Sequence, residues 1–326
     1  MPPLAPANPT TPGLPDTIRA AFAPVSGIEE AEAYTRALAR SHYENFSVVT
    51  FLLPKRLHQD FYNVYAFCRI ADDLADEVGD AAVAAEHLAR FRDQLHAAYG
   101  GQERRADTAC FVALRGTIRR HDIPKQPFLD LIDAFEQDQT VNRYRTFAQL
   151  VDYCRRSADP VGRLVLYMCG HRDEEWQRLS DRTCTALQLA NFWQDVRRDL
   201  ADRNRIYLPQ DSMARFGVTE ERLAAFRFDE NVRQLVRFEV QRAHALLDEG
   251  EALLPLLEPV YRRQIALFGQ GGRAILRAIE RQGYDTLTSR PSLSKRQKAR
   301  LVLKALGAAV AQKLAPGVRK QGGGSR

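Results

Sequence analysis

The feature that most constrains the fold of this chain is a row of carboxylates inside an otherwise apolar helical segment. The stretch YAFCRIADDLADE, residues 65–77, has apolar residues at helical spacing and four acidic residues in its last turns. Because each residue advances about 100° around a helix, Tyr65, Arg69, Asp72 and Asp76 fall within roughly 60° of one another and form one polar stripe. Buried charges are costly unless they are paired, so the stripe predicts a partner for its carboxylates.

A second stripe of the same kind lies in TALQLANFWQDVRRD, residues 185–199. Gln188, Asn191, Asp195 and Asp199 fall within roughly 80° on a helix, with apolar residues on both sides of them. A surface helix instead has its polar face opposite its apolar face. Either stripe alone is typical of a solvated face or of acids paired with arginine, but two stripes with matching offsets predict the walls of one buried, hydrated cavity.

Two carboxylates four residues apart on a helix suit a hard cation. Their Cβ atoms are about 5–6 Å apart, and Mg²⁺ commonly binds one or two carboxylates together with substrate phosphates. We therefore expect Mg²⁺, and through it a phosphate, to lie against both stripes. The aspartates concerned are Asp72, Asp76, Asp195 and Asp199.

The segment DRNRIYLP, residues 202–209, follows the second stripe and supplies direct phosphate donors. Arg203 and Arg205 can each make bidentate contacts to phosphate oxygens, and the Tyr207 hydroxyl can donate one more hydrogen bond. An exposed loop with unrelated arginines is the alternative interpretation. For Arg69, on the first stripe, the alternative is a structural ion pair with Asp72 or Asp76.

Helical periodicity dominates the chain and alternating strand patterns are nearly absent, which predicts an all-α fold. Proline and glycine separate the periodic segments. We place helices near 29–44, 55–77, 81–98, 107–121, 126–138, 146–157, 160–170, 174–200, 219–252, 254–284 and 292–313. We expect one helical domain over 26–290, a disordered proline-rich leader at 1–25, and a basic C-terminal helix and tail at 291–326.

The charge, the cysteines and the lack of long apolar runs bear on location and partners. The net charge of +6 arises at residues 290–326, which hold ten Lys or Arg and no acid, and the tail's apolar residues suit an anionic membrane surface. A tail helix packed on the body is the alternative.

Five cysteines without a CxxC pair predict free thiols. With no apolar run of 18 residues and no secretory signal, we expect a cytoplasmic protein, with peripheral contact to the inner face of the cell membrane as a further expectation. The tail lacks interleaved aromatic residues, so we do not expect nucleic-acid binding.

These motifs resemble those of the squalene/phytoene synthase family of head-to-head prenyl transferases, from about Tyr34 to Arg290. YAFCRIADDLAD resembles the family's first aspartate-rich motif, LQLANFWQDVRRD resembles its second, and RIYLP and DYCRRSADPVG resemble two further segments. The resemblance implies an all-α isoprenoid (prenyl) synthase fold around a central cavity, in which the aspartates hold Mg²⁺ and a prenyl diphosphate. It also implies that six positions lie near the diphosphate or the reacting carbons: Tyr65, Arg69, Tyr153, Gln188, Asn191 and Arg205.

Three departures from the family pattern indicate a branch. HYENF, residues 42–46, stands where the family often has Ser-Lys-Ser-Phe, Gln194 stands where it usually has arginine, and ADPVG replaces Ala-Gly-x-Val-Gly. This combination resembles the hydroxysqualene synthases of hopanoid-producing bacteria, which add water to the cation made from presqualene diphosphate. Glu44 and Asn45 are then candidates to hold that water, with Glu44 or His42 as its base. A helix-end ion pair is the alternative for Glu44.

Several alternatives remain open from the sequence. A squalene synthase or a phytoene/dehydrosqualene-type synthase would share the fold and quench the cation by hydride transfer or proton loss. A non-catalytic helical scaffold or membrane adaptor would not need both aspartate stripes. Four rings, those of Tyr65, Phe67, Phe192 and Trp193, could stabilise a cation or simply pack in the core. For the hydroxysqualene branch, the expected functional partner is a presqualene diphosphate synthase.

Overall fold

The regular secondary structure of this chain is helical, as its periodicity predicts. The computed structural model describes residues 16–41, 53–101, 107–294 and Arg296. The α-helices in these ranges are α1 (Asp16–Ala21), α2 (Ile28–Ser41), α3 (His58–Asp76), α4 (Ala81–Tyr99), α5 (Ala109–His121), α6 (Gln126–Gln137), α7 (Phe147–Ser157), α8 (Asp159–Met168), α9 (Glu174–Gln194), α10 (Val196–Arg203), α11 (Gln210–Arg215), α12 (Glu220–Ala224), α13 (Glu230–Gly250) and α14 (Pro259–Arg281). Short 3₁₀ turns precede α3 and follow α13.

The prediction of one continuous helix over 174–200 is wrong. Asp195 leaves the helical conformation, with φ −105° and ψ 14°, and separates α9 from α10. Its N–H still donates a hydrogen bond to the Asn191 carbonyl at 2.9 Å, so the hydrogen-bond pattern of α9 continues up to the bend. The bend is stabilised by tertiary contacts that helical periodicity cannot show, such as the hydrogen bond from Arg197 Nη1 to the Leu287 carbonyl at 2.8 Å.

The predicted helix over 219–252 is also divided, into α12 and α13. Phe226, between them, has a φ of 50°, which lies in the left-handed region and interrupts a helix. Asp229 then caps α13, where its side chain accepts a hydrogen bond from the Val232 N–H at 3.0 Å. The next predicted helix, 254–284, begins later than expected, at Pro259, whose fixed φ suits the first helical position.

The described part of the predicted leader is ordered, which corrects the expectation of disorder for residues 16–25. Ala21, at the end of α1, is 3% exposed. The Phe22 ring meets the Phe91 ring edge-on at 6.5 Å, and the Val25 N–H donates to the Asp107 carbonyl at 3.1 Å. Residues 16–25 therefore pack on the helical domain. Residues 1–15, 295 and 297–326, and with them most of the predicted helix 292–313, lie outside the described residues.

Among the described residues, two large apolar clusters make up most of the core, and a small third cluster contains Leu166, Leu253 and Leu257. The first surrounds α3, where Phe67 meets Phe91 and Phe128 at 4.9 Å each. The second surrounds α9, which packs on α13 and α14 and carries the fully buried Trp193. Close packing there depends on Gly272, since a Cβ at that position would lie 2.6 Å from Leu187 Cδ2.

Two further observations bear on the sequence-based expectations. All five cysteines are free, as predicted. Among the described helices, none combines the length and the apolar character that crossing a bilayer requires.

Candidate active site

The structure brings the aspartates of both stripes to one pocket of about 260 Å³. α3 supplies Asp72 and Asp76 from one side. The bend after α9 supplies Asp195, and α10 supplies Asp199 from the other side. The remaining lining residues are Phe135, Asp138, Tyr153, Ser157, Gln188, Asn191, Phe192, Arg203, Arg205 and Tyr207.

In the first aspartate pair, Asp76 contacts arginines from the opposite wall. Arg203 Nη1 lies 2.7 Å from Asp76 Oδ2, and Arg205 Nη2 lies 3.5 Å from Asp76 Oδ1. The Asp72 side chain stays 44% exposed and has a long contact of 3.6 Å with Arg69. Desolvation in the pocket, followed by repulsion from Asp76, raises the pKa of Asp72 to about 6.

The second aspartate pair meets an arginine from the segment that follows α14. The Arg290 guanidinium makes two contacts with the Asp195 carboxylate, and its Nη2 donates to Gln194 Oε1 at 3.1 Å. The Gln194 amide in turn donates to the Pro291 carbonyl at 2.6 Å. Burial, followed by repulsion from Asp195, raises the pKa of Asp199 to about 7.

The donor chemistry of the two pairs fits divalent cations that a substrate helps to bind. Each pair places two carboxylates four residues apart, and burial together with repulsion between the two carboxylates raises the pKa of one member of each pair. Within the described ranges, no three His, Cys, Asp or Glu side chains are grouped closely enough to hold a metal ion by themselves. A cation at either pair would therefore complete its coordination with water or phosphate oxygens, as Mg²⁺ commonly does.

An aromatic wall borders the carboxylates. The Phe192 and Tyr207 rings stack at 3.7 Å with an angle of 8° between their planes, and the Tyr153 ring lies 6.2 Å from each of them. Of the four rings that the sequence suggested for cation stabilisation, Phe192 lines the pocket. Phe67 and Trp193 are 0% exposed in the core, so the cation-contact interpretation is wrong for these two residues.

The family is decided by a direct match. Residues 39–297 match the squalene/phytoene synthase family model. This chain belongs to the squalene/phytoene synthase family. It is therefore a prenyl diphosphate-utilising enzyme of isoprenoid biosynthesis.

Three similar proteins illustrate the range of this family. The hydroxysqualene synthase of Sinorhizobium fredii is 35% identical over 220 residues, which cover 67% of this chain and 73% of that protein. The phytoene synthase of Thermus thermophilus is 34% identical over 286 residues, or 88% of this chain and 96% of that protein. The crystal structure of squalene synthase HpnC from Alicyclobacillus acidocaldarius, at 47% identity, superposes with a TM-score of 0.75 over 82% of this chain and 99% of that chain. The fold is accordingly the all-α isoprenoid synthase fold.

Most of the site residues that the sequence predicts are found in the lining of this pocket. Besides the four aspartates, they are Tyr153, Gln188, Asn191, Arg203, Arg205 and Tyr207. Tyr65 and Arg69 lie on α3 outside the pocket lining, and Arg69 contacts Asp73 more closely than Asp72. His42, Glu44 and Asn45 lie outside the described residues, so their roles stay predictions.

Sequence reasoning missed two charged residues of the site. Asp138, which caps the end of α6, accepts a hydrogen bond from the Tyr153 hydroxyl at 2.8 Å on Oδ2, and its backbone carbonyl accepts one from Arg205 Nη2 at 3.1 Å. Burial raises the pKa of Asp138 to about 6. In the sequence, Arg290 stands out only as the first residue of the basic tail. Neither residue has a helically spaced partner, so periodicity carries no signal for either.

Proposed function

We propose that this enzyme is a hydroxysqualene synthase. In this reaction presqualene diphosphate ionises with the help of Mg²⁺, the carbocation rearranges, and water captures it to give hydroxysqualene and pyrophosphate. The observation that carries the proposal is the single pocket in which two aspartate pairs and two arginines adjoin an aromatic wall. The similarity to hydroxysqualene synthases supports the choice of branch.

The charged half of the pocket suits departure of the diphosphate. Asp72 and Asp76 on one side, and Asp195 and Asp199 on the other, would hold Mg²⁺, which when bound supplies positive charge to the leaving group. Arg203 and Arg205 would donate hydrogen bonds to phosphate oxygens. In the structure both arginines contact Asp76 instead, so the same side chains can exchange a carboxylate for a phosphate partner.

The aromatic half of the pocket suits the carbocation. The faces of Phe192, Tyr207 and Tyr153 offer negative electrostatic potential to a cation within about 6 Å of the ring centre. Phe192 and Tyr207 are 5% and 9% exposed, so this wall admits little solvent. Exclusion of bulk water protects a cation from random capture. The charged and aromatic halves thus separate the leaving group from the reacting carbons.

The sequence makes Glu44 and Asn45 candidates to hold the water that ends the reaction. If they hold it, Glu44→Ala should lower the ratio of alcohol to alkene products while pyrophosphate release falls less than in the aspartate variants. Gas chromatography with mass detection measures the ratio, and released phosphate after pyrophosphatase treatment measures ionisation. A slower enzyme with an unchanged ratio would place Glu44 in a structural or binding role.

A second candidate function is supported by the relatives themselves. The Thermus thermophilus phytoene synthase matches more of this chain than the Sinorhizobium hydroxysqualene synthase does. A phytoene- or dehydrosqualene-type synthase would lose a proton, and a squalene synthase would take a hydride from NADPH. The test is incubation with presqualene diphosphate and Mg²⁺, with and without NADPH. We expect the alcohol in both cases. Squalene formed only with NADPH, or an alkene as sole product, would favour the alternative.

The cellular setting is part of the same proposal. Hydroxysqualene is proposed as an intermediate of hopanoid biosynthesis, and a presqualene diphosphate synthase would supply the substrate. We further propose that the basic residues from 290 onward bring the enzyme to an anionic membrane, where its lipid-like substrate collects. Sedimentation with anionic vesicles at low salt should show binding that disappears after deletion of residues 297–326. Equal binding by the truncated protein would exclude a role for the tail.

A further inference from the structure

One corner of the pocket is polar but distant in sequence from the aspartate motifs. It is formed by Asp138 at the end of α6 and by Tyr153 and Ser157 on α7. Tyr153 and Ser157 are four residues apart, so they lie on the same face of α7. The hydrogen bond from the Tyr153 hydroxyl to Asp138 Oδ2, 2.8 Å long, joins the two helices at this corner.

Two oxygen atoms at this corner lack a partner. Asp138 Oδ1 and Ser157 Oγ are shielded from solvent, and neither has a hydrogen-bond partner among the described residues. Buried polar atoms in folded proteins are rarely left unsatisfied. Because both residues line the pocket, the unsatisfied atoms point to a small polar ligand that binds beside the substrate.

The chemistry of the corner favours water over a metal ion. It contains one carboxylate and two hydroxyl groups, whereas each aspartate pair proposed to hold Mg²⁺ offers two carboxylates. A carboxylate oxygen accepts a hydrogen bond from water, and a serine hydroxyl can donate one to it. Asp138 Oδ2 already accepts from the Tyr153 hydroxyl and the Arg205 guanidinium contacts only the Asp138 backbone carbonyl, which leaves Oδ1 as the acceptor at the pocket.

We propose that this corner holds the water that captures the carbocation and that Asp138 accepts its proton. This inference rests on the proposed function. A lone pair of the water oxygen forms the new C–O bond to the cationic carbon, one O–H bond of that water breaks, and the proton moves to Asp138 Oδ1. The step needs no oxidant or reductant, and the products are a neutral alcohol and a protonated carboxyl group.

The partners of Asp138 fit these roles. Tyr153 is deeply buried, and desolvation followed by the nearby Asp138 charge raises the pKa of its hydroxyl well above the ordinary value. Tyr153 therefore stays protonated and orients Oδ2, which makes it a positioning residue and not the base. Burial also disfavours the ionised form of Asp138, which makes proton uptake by this carboxylate easier.

The test compares Asp138→Asn with Asp152→Asn in the full-length enzyme with presqualene diphosphate and Mg²⁺. Asparagine keeps the size of Asp138 and can still accept the Tyr153 hydrogen bond, but it cannot take a proton. Asp152 lies on the outer face of α7 with its side chain 58% exposed, so it controls for a lost carboxylate. We expect the ratio of alcohol to alkene to fall at least about tenfold in Asp138→Asn, with a smaller loss of pyrophosphate release and no change in Asp152→Asn.

Further variants keep the proposal falsifiable if Asp138→Asn folds poorly. Ser157→Ala removes only the proposed donor to the water and should lower the same ratio several-fold with an unchanged circular dichroism spectrum. If the wild type makes alcohol and both variants keep its product ratio, the inference is wrong while the proposed function stands. A ratio that changes in Glu44→Ala but not in Asp138→Asn also overturns it, in favour of Glu44. If the wild type makes no alcohol, the proposed function fails and the inference fails with it.

Discussion

The two aspartate pairs have the same spacing but differ in how the backbone presents them. Asp72 and Asp76 lie on the uninterrupted helix α3, whereas Asp195 lies at a bend and Asp199 follows it on the short helix α10. The first pair therefore has a position fixed by one rigid helix. The second pair depends on contacts that hold the bend, which are those from Arg197 to the Leu287 carbonyl and from Gln194 to the Pro291 carbonyl.

The difference extends to the cations that each pair meets. Asp76 contacts Arg203 and Arg205, which follow the second pair in sequence. Arginines from the opposite wall of the pocket therefore balance part of the negative charge of the first pair. Asp195 instead contacts Arg290, which belongs to the segment leading into the basic tail. The comparison indicates that the first pair is organised by the pocket itself and the second by the C-terminal segment.

The largest expected effect is the same for both pairs, because both would hold cations at one diphosphate. Asp72→Asn and Asp195→Asn should each lower Mg²⁺-dependent pyrophosphate release by at least about 10²-fold. The fold should survive, since each change removes a like charge from a crowded pocket. Asp152→Asn serves as the exposed control. If either aspartate variant kept most of the Mg²⁺-dependent rate, that pair would lie outside the metal site.

A smaller effect should separate the two pairs by their arginines. Arg290→Gln removes a cation from Asp195, and Arg203→Gln removes one from Asp76. Partly exposed ion pairs of this kind contribute up to about 1 kcal/mol, so each change should tighten Mn²⁺ binding by the substrate-free enzyme by about twofold to fivefold. Titration followed by electron paramagnetic resonance measures the affinity. Weaker binding in either variant would show that the arginine positions its aspartate and does not compete with the metal.

The smallest effect is a difference in pH dependence between the pairs. The folded-state pKa values of Asp72, about 6, and Asp199, about 7, lie above the ordinary value near 4. The folded state therefore binds more protons than the unfolded state between pH 4 and 6 at Asp72 and between pH 4 and 7 at Asp199. Stability of the metal-free protein should therefore fall as pH rises from 4 to 6 through Asp72 and from 4 to 7 through Asp199.

Asparagine variants measure each contribution. The gain in melting temperature of Asp72→Asn over the wild type should grow up to pH 6, and that of Asp199→Asn should grow up to pH 7, each to about 1–4 °C. The charged neighbours differ as well: Asp76, Arg69 and Arg203 act on Asp72, whereas Asp195 and Arg203 act on Asp199. Identical pH windows in the two variants would remove this distinction between the pairs.

Much of the fold follows from the sequence because helical periodicity is a local property. The stripe on α3 can be read directly from residue spacing. The bend at Asp195 cannot, since its neighbours continue an apolar helical pattern and the bend depends on contacts with residues some 90 positions later. The left-handed conformation of Phe226 cannot be predicted from the sequence either, because an apolar residue at this position fits a helical pattern.

The site residues likewise fall into those that spacing predicts and those that it does not. The carboxylate pairs and the arginines of RIYLP have recognisable spacing, and the structure brings them to one pocket. Asp138 sits alone in a polar stretch at a helix end, and its place beside Tyr153 arises from the packing of α6 against α7. Residues that enter a site through tertiary packing alone leave no periodic signal, which is why Asp138 and Arg290 were missed.

The central claim is that both aspartate pairs hold divalent cations around one diphosphate. The most direct test is Mn²⁺ binding, measured by electron paramagnetic resonance, in the presence of a presqualene thiolodiphosphate analogue that cannot ionise. We expect Mn²⁺ to be bound by the wild type and by Asp152→Asn, and a lower bound amount in both Asp72→Asn and Asp195→Asn. Bound Mn²⁺ equal to the wild type in either aspartate variant would contradict it.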